Sequence, residues 1–150
     1  MIDEKWMAMA LEQALRSGPD VPVGCVLVRD QVLLAATHNQ RENAHDPTAH
    51  AEILALREAA RRQKEWRLTG ATLYTTLEPC PMCAEAILQA RVSRVVFGAY
   101  DSKSGALGSV FNLYCDGRIY PIPEVIGGIM EGPCQNVLVD FFRSRPERID

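Results

Sequence analysis

Hydrophobic and polar positions follow two periods along this chain, one typical of helices and one typical of strands. Residues 3–16 repeat apolar side chains every three to four positions, which predicts an amphipathic helix that ends at the turn sequence Ser17–Asp20. Residues 23–28 and 32–37 have strand composition and are joined by a short polar turn, so we expect an antiparallel hairpin. The first of these strands is apolar almost throughout, as a strand in the middle of a sheet would be.

The rest of the chain alternates helical and strand patterns. After a polar loop at 38–45, the pattern predicts a helix that begins at Pro47, has Asp46 as its N-cap and ends near Gln63. The further predicted elements are strands at 71–77, 94–98 and 125–129 and helices at 81–90 and 134–142. This alternation predicts one α/β domain over residues 1–150, with helices covering a mostly parallel sheet.

Composition narrows the class of protein. With 47% hydrophobic and 23% charged residues, the 150-residue chain has the composition of a soluble globular domain with a substantial core. No apolar run approaches the roughly 20 residues that cross a bilayer, and the N-terminus lacks the features of a signal peptide. We therefore expect a cytoplasmic protein with no membrane partner. The net charge of -3 does not indicate a nucleic-acid partner.

The five cysteines are an odd number, which argues against a secreted disulfide framework. Cys80 and Cys83 form a Cys-x-x-Cys pair. Cys25 stands in an apolar run and is most simply a small buried residue. Cys115 and Cys134 lie in loop-like sequence and receive no role.

Three residues have the chemistry of a catalytic zinc site. Such a site takes three ligands from Cys, His or carboxylate and leaves a fourth position for water. His50, Cys80 and Cys83 are of these types and lie where helices are predicted to begin, which favours thiolates. We predict that they bind one Zn²⁺ per chain. Residues two apart on a helix point about 200° apart, so His50 and Glu52 would not both bind one metal; one can be a ligand while the other reaches the metal-bound water or the substrate.

A closed structural zinc site and a redox pair are the alternatives. A closed site requires a fourth protein ligand, and His38, His45 and the remaining cysteines stand in contexts without ligand spacing. A thioredoxin-like pair would leave the segment His50–Glu52 unexplained. The spacing therefore favours a catalytic site.

The motif His50-Ala51-Glu52, read together with Pro79-Cys80-Pro81-Met82-Cys83, resembles the signature of zinc-dependent nucleobase deaminases. The resemblance is closest to the bacterial tRNA-specific adenosine deaminases, and it covers residues 5–113 well and 140–142 weakly. The segments that carry it are 21–24, 46–52, 72–80, 95–99 and the glycines at 105 and 108. It implies a three-layer α/β/α cytidine deaminase-like fold with a central five-stranded mixed sheet.

The same resemblance implies an activity and assigns roles to residues. The activity is hydrolytic deamination of adenosine to inosine at the anticodon wobble position of tRNA, by a zinc-activated water. Glu52 would be the catalytic carboxyl group that moves protons to the ring nitrogen and the leaving ammonia. Asn39 would hydrogen-bond the base, Val23 and Ala49 would line its pocket, and Lys103 would face the RNA.

Further cations stand in regions that face RNA in this family. They are Arg91, Arg94, Arg143, Arg145 and Arg148. The chain differs from the bacterial members at Ile119–Pro123, where they usually have an Asn-His pair, and this difference bears on RNA contacts rather than on the zinc site. The resemblance also implies a homodimer whose subunits together complete the cleft for the tRNA anticodon stem-loop.

Two other functions remain open. A deaminase of a free base such as guanine or cytosine would share the segment Glu78–Cys83, although the resemblance over 98–113 favours tRNA. A catalytically silent zinc-binding subunit would have no use for Glu52 as a proton shuttle. Ammonia release from an anticodon stem-loop and from free bases separates these hypotheses.

Overall fold

The computed structural model describes residues 2–115, 117–118 and 120–145. Ile119 and Arg148, both named above, lie outside the described residues. The elements in chain order are α1 (Ile2–Ala14), β1 (Gly24–Arg29), β2 (Val32–His38), α2 (Arg41–Ala44), α3 (Ala51–Gln63), β3 (Thr72–Leu77), α4 (Pro81–Gln89), β4 (Arg94–Ala99), β5 (Glu124–Ile126) and α5 (Glu131–Ser144).

The five strands form one mixed sheet in the order β2-β1-β3-β4-β5. β1 is antiparallel to both β2 and β3, whereas β3 with β4 and β4 with β5 are parallel. The predicted hairpin is confirmed, and its turn places Asp30 and Gln31 at φ 52° and 65°, as a tight hairpin turn requires. The expectation of a mostly parallel sheet is wrong, because the hairpin enters the sheet through β1 and makes two of its four pairings antiparallel.

Helices cover both faces of the sheet, which confirms the three-layer α/β/α fold. Alternate side chains of β1 enter different cores, with Cys25 and Leu27 on one face and Val26 and Val28 on the other. The first core includes residues of α3 and α4, and the second includes residues of α1 and α5. Cys25 is fully buried, as predicted for a small core residue.

Helix α3 begins at Ala51, so the prediction that it starts at Pro47 is wrong. Oδ1 of Asp46 accepts hydrogen bonds from the backbone N–H and the hydroxyl of Thr48, at 2.8 and 2.7 Å. The N–H of His50 donates to the carbonyl of Thr48 at 2.8 Å. Asp46 therefore caps a turn rather than a helix. His50 itself is the N-cap of α3, with an extended backbone at φ -70° and ψ 151°.

The other element boundaries differ less from the prediction. The loop expected at 38–45 contains the single-turn helix α2, and the strand expected at 125–129 is the shorter β5. Helix α5 starts earlier than expected, because Gly132 and Pro133 lie in its first turn, where proline forfeits no helical hydrogen bond. Over the described residues, none of the helices has the length and apolar character needed to cross a membrane.

Candidate active site

Two helix N-termini bring the predicted zinc ligands together. β3 leads through Cys80, the N-cap of α4, into a helix with Pro81 in its first turn. His50 is the N-cap of α3, which packs beside α4 on the same face of the sheet. As a result, Nδ1 of His50 lies 3.5 Å from Sγ of Cys80 and 3.4 Å from Sγ of Cys83. The ligand atoms of all three residues lie within 4.8 Å of one another.

These separations fit one zinc ion. Zinc lies about 2.3 Å from a thiolate sulfur and about 2.0 Å from an imidazole nitrogen, so a tetrahedral angle places the two ligand atoms about 3.5 Å apart. The observed distances from His50 to Cys80 and Cys83 agree with this value. Within the described residues, no fourth His, Cys, Asp or Glu joins the group. The arrangement therefore has the ligand number of a catalytic site rather than of a closed structural one.

The pKa values of the two thiols are shifted in opposite directions. The pKa of Cys80 is lowered to about 4, chiefly because the side chain of Cys83 donates a hydrogen bond to it. The pKa of Cys83 is raised, since it holds that proton and is buried. The hydrogen bond to Cys80 also raises the pKa of His50. Because metals bind thiolates, metal binding at this group would release the proton of Cys83.

Glu52 lies in the first turn of α3, two positions after His50. Its side chain is only 4% exposed, and burial raises its pKa to about 7. A carboxyl group with a pKa near the working pH exchanges protons readily. The expectation that His50 and Glu52 diverge as two residues of one helix does not apply, because His50 precedes α3. Both side chains line the same cavity.

That cavity has a volume of about 990 Å³ and connects the ligand group to the surface. His50, Glu52 and Cys80 line its inner part. The segment Tyr100–Ser104 forms one side, and α5 contributes a wall that includes Phe142. The site is therefore a pocket lined by a buried acid and by two of the three potential metal ligands, while Cys83 is buried beside them.

Residues 1–99 match the family described as "Cytidine and deoxycytidylate deaminase zinc-binding region". The chain belongs to this deaminase family. Its membership confirms the resemblance stated above and the expectation of a zinc-binding hydrolytic enzyme.

Individual relatives narrow the family further. The deaminase is 45% identical to the tRNA-specific adenosine deaminase of Bacillus subtilis over 143 aligned residues. The alignment covers 94% of this chain and 89% of that protein. A structure solved in a study of A-to-I editing by tRNA:A34 deaminases is 40% identical, with a TM-score of 0.86 over 89% of this chain and 99% of that one. The guanine deaminase of Nitrosomonas europaea is 23% identical and has a TM-score of 0.76 over 92% of this chain and 83% of that one, a likeness of fold alone.

Asn39 and Val23 both line the cavity of the deaminase. The side chain of Asn39 is 7% exposed, donates through Nδ2 to the carbonyl of Val21 at 3.1 Å and accepts through Oδ1 from the N–H of Arg41 at 3.3 Å. Asn39 is thus a turn residue as well as a cavity residue. Its contact with a base stays a prediction, as does that of Val23.

Ala49 and Lys103 occupy different positions relative to the cavity. Ala49 is buried, does not itself line the cavity and accepts a backbone hydrogen bond from Gln40 at 3.0 Å. It therefore connects the chain after Asn39 with the segment before His50. Lys103 is exposed and lines the mouth of the cavity.

Two of the cations that were expected near RNA, Arg91 and Arg94, contact other side chains outside the cavity. Arg94 donates to Asp3 at 3.0 and 2.6 Å and to Glu124 at 3.0 Å, at the end of β4 remote from the cavity. Arg91 stacks over the rings of Tyr120 and Trp66, with its guanidinium carbon 4.0 and 5.4 Å from their centroids. Neither arginine lines the cavity, and the expectation that their regions face RNA stays a prediction.

Residues that sequence reasoning did not assign also line the cavity. These residues are Arg41, Tyr100 and Phe142. Arg143, whose region was expected to face RNA, lines the cavity as well. Arg41 could have been suspected from the sequence, since it lies two positions after Asn39, which was predicted to contact the base. Phe142 carries no such signal, because it reaches the cavity only when α5 packs against β4. Tyr100 directly follows β4.

Proposed function

We propose that this deaminase hydrolyses adenosine to inosine and ammonia at the wobble position of a tRNA anticodon. The observation that supports the proposal is the group of metal ligands next to Glu52, which lines a cavity of about 990 Å³ together with His50 and Cys80. Pockets for drug-sized molecules span about 300–1,000 Å³, so this cavity has room for more than a single base. The names of the Bacillus subtilis relative and of the A34-deaminase study support the choice of tRNA.

The metal ligands and Glu52 would have different roles in the reaction. His50, Cys80 and Cys83 would hold the zinc ion, which lowers the pKa of bound water and so supplies a nucleophile at neutral pH. Glu52 would receive the proton of the attacking water on a carboxylate oxygen and deliver protons to the ring nitrogen and to the departing amine. Its burial within the cavity supports this role, because it keeps the carboxyl group within reach of the base and away from bulk solvent.

Asn39 and Val23 would bind the base. A side-chain amide has two N–H donors and two acceptor lone pairs. One of each is used by the backbone of Val21 and Arg41. One donor and one lone pair of Asn39 therefore remain for the edge of a base, on a side chain whose position is already fixed. Val23 would contribute an apolar surface beside it, and Ala49 would act through its backbone.

The mouth of the cavity would bind the RNA strand. Three of the residues that line it, Arg41, Lys103 and Arg143, are exposed cations. The acidic residues of the lining are less exposed, so the cations are the charges that an RNA strand would meet first. Cations of this kind contact phosphates, and exposed aromatic rings stack on bases. Tyr100 lines the same cavity and is 52% exposed, which supports a stacking contact with a nucleotide next to the adenosine.

We further propose a homodimer and a cytoplasmic location. Val110 and Phe111 are neighbouring apolar residues with 46% and 48% of their surfaces exposed, and such surfaces favour association. The cytoplasm keeps thiols such as Cys80 and Cys83 reduced, and a tRNA substrate would be found there. Analytical ultracentrifugation of the wild type and of Phe111→Ser tests the dimer, with a shift toward monomer expected in the variant.

The decisive assay compares substrates. We expect ammonia release and inosine formation from an anticodon stem-loop with adenosine at the wobble position, and no release from guanine, cytosine or free adenosine. The same stem-loop with guanosine at that position is the matched control and should be inert. Turnover of a free base without turnover of RNA would replace this proposal with a free-base deaminase. Turnover of none of these substrates would favour the silent zinc-binding subunit.

A further inference from the structure

One buried carboxylate takes no part in the chemistry above. Glu78 lies between β3 and Cys80, is 2% exposed and is itself among the residues that line the cavity. Its Oε1 accepts the N–H of Asp101 at 3.1 Å and the hydroxyl of Ser109. Its Oε2 accepts the N–H of Leu107 at 3.0 Å and that of Ser109 at 3.1 Å. A single side chain thus binds both ends of the loop formed by residues 101–109.

The loop fits closely over this carboxylate. A Cβ placed on Gly105 would lie 2.5 Å from Cδ and from Oε1 of Glu78, so a larger residue at this position would displace the carboxylate or the loop. The neighbouring backbone adds a further connection, because the N–H of Ala106 donates to the carbonyl of Pro79 at 2.8 Å. The loop and the segment that precedes Cys80 therefore form one packed unit.

The same loop supplies one side of the substrate cavity. Asp101 and Lys103 both line it. Oδ1 of Asp101 accepts the N–H of Lys103 at 2.9 Å and that of Ser104 at 3.2 Å. Glu78 accepts a hydrogen bond from the backbone of Asp101, and the side chain of Asp101 accepts one from the backbone of Lys103. The position of this cation at the cavity mouth is therefore connected to the segment that carries Cys80.

We propose that Glu78 is a positioning residue that fixes the 101–109 loop in the conformation that accepts an RNA strand. The inference rests on the proposed function. A carboxylate suits the position because all four groups that contact it are donors, and an ionised carboxylate only accepts. Glutamine has nearly the same shape but would direct an NH₂ group at two of these donors, which leaves buried donors unpaired.

Glu78→Gln tests the role, with Glu85→Gln as the matched control. Glu85 is a partly exposed residue of α4 that does not line the cavity and bonds to Gln89 and Arg118. We expect Glu78→Gln to raise KM for the adenosine stem-loop about tenfold and to change kcat less than about threefold, since misplaced binding groups weaken substrate binding more than chemistry. Zinc content should equal that of the wild type. Glu85→Gln should match the wild type in all three measurements.

Hydrogen exchange reports on the loop without substrate. The amides of Asp101, Leu107 and Ser109 should exchange faster in Glu78→Gln, whereas those of β1 should not change. Ser109→Ala removes one of the four hydrogen bonds and should raise KM by a smaller factor. If Glu78→Gln does not fold, Ser109→Ala carries the test by itself, and an unchanged KM in that variant would then reject the inference.

The outcomes separate this role from the proposed function. A wild-type enzyme that forms no inosine on the stem-loop would overturn the proposed function and this inference with it. Wild-type turnover with an unchanged KM in Glu78→Gln would overturn the inference alone. So would a loss of kcat without a change in KM, which would place Glu78 in the chemistry, or a loss of zinc, which would make it a support of the metal site.

Discussion

Two clusters of ionisable side chains lie toward opposite ends of β3 and balance their charges in different ways. In the arginine cluster, formed by Asp3, Tyr74, Arg94 and Glu124, one guanidinium donates to two carboxylates, and the tyrosine hydroxyl donates to Asp3 at 2.7 Å. The ligand cluster, formed by His50, Glu52, Cys80 and Cys83, consists of three acidic groups and one imidazole. The first cluster is complete by itself, whereas the second requires protons or a metal cation.

The directions of the pKa shifts show the same contrast. The hydrogen bond from Arg94 lowers the pKa of Asp3, which means that the fold stabilises its charged form. Burial raises the pKa of Glu52, which means that the fold disfavours its charge. A carboxylate of the first kind contributes stability, and one of the second kind is characteristic of functional sites. We therefore expect changes in the ligand cluster to affect activity and changes in the arginine cluster to affect stability alone.

Removal of the metal should have the largest effect. Dialysis against a chelator, or the substitution Cys83→Ala, should abolish measurable inosine formation, because the nucleophile is no longer available at neutral pH. The melting temperature should fall as well, since bound metal stabilises the folded chain. Restored zinc should restore the activity of the wild type and not that of Cys83→Ala. Full activity of the metal-free wild type would remove the basis for treating the ligand cluster as a zinc site.

Glu52→Gln should have the next largest effect. We expect inosine formation to fall about a thousandfold, within the range attributed to general acid–base catalysis, while the zinc content stays that of the wild type. Glu58→Gln, on the same helix and outside the cavity lining, is the control and should retain activity. The measurements are single-turnover rates and metal analysis. A Glu52→Gln enzyme that works at the wild-type rate would exclude a proton-transfer role.

The cations at the cavity mouth should have smaller effects. Lys103→Ala and Arg143→Ala should each raise KM for the stem-loop several-fold and reduce the slope of log affinity against log salt by about 0.7, as expected when one contact with a single-stranded phosphate is lost. Arg61→Ala removes an exposed cation of α3 that does not line the cavity and should change neither quantity. Equal effects of all three substitutions would indicate that the charge of the whole protein attracts the stem-loop, rather than the cations at the mouth of the cavity.

Asp3→Asn should affect stability alone. We expect a loss of about 1 kcal/mol in the free energy of unfolding at pH 7, with kcat, KM and zinc content unchanged. The pKa of Asp3 is below its ordinary value of 3.8 in the folded protein, so its contribution is complete above that value and declines as the pH falls through the folded pKa.

Urea titrations at several pH values check this prediction. The difference in stability between wild type and Asp3→Asn should be constant near neutrality and shrink below about pH 4. A difference that grows on acidification would contradict the assigned ion pair. A change in kcat would show that the two clusters are not independent, and would weaken the comparison between them.

Much of the fold could be predicted from local sequence patterns. Periods of 3.6 and 2 residues and the turn residues between them are local properties, so they located the strands at 23–28 and 71–77 and the helix at 81–90 to within a few residues. The predicted start of α3 was wrong because Asp46 and Pro47 suit a helix N-terminus and a tight turn equally well. The hydrogen bonds from Thr48 decide between them, and they exist only in the folded chain.

The metal ligands were also open to prediction from sequence, because zinc accepts few residue types and the spacing of Cys80 and Cys83 suits one helical turn. Tertiary structure decided which other side chains join or leave the site. Arg94 bonds to a residue 91 positions away, and Glu78 binds a loop up to 31 positions away. Such pairings have no period in the sequence. They depend on the parallel pairing of β3 with β4 and on the packing of α1 and α5 against the sheet, which bring distant residues together.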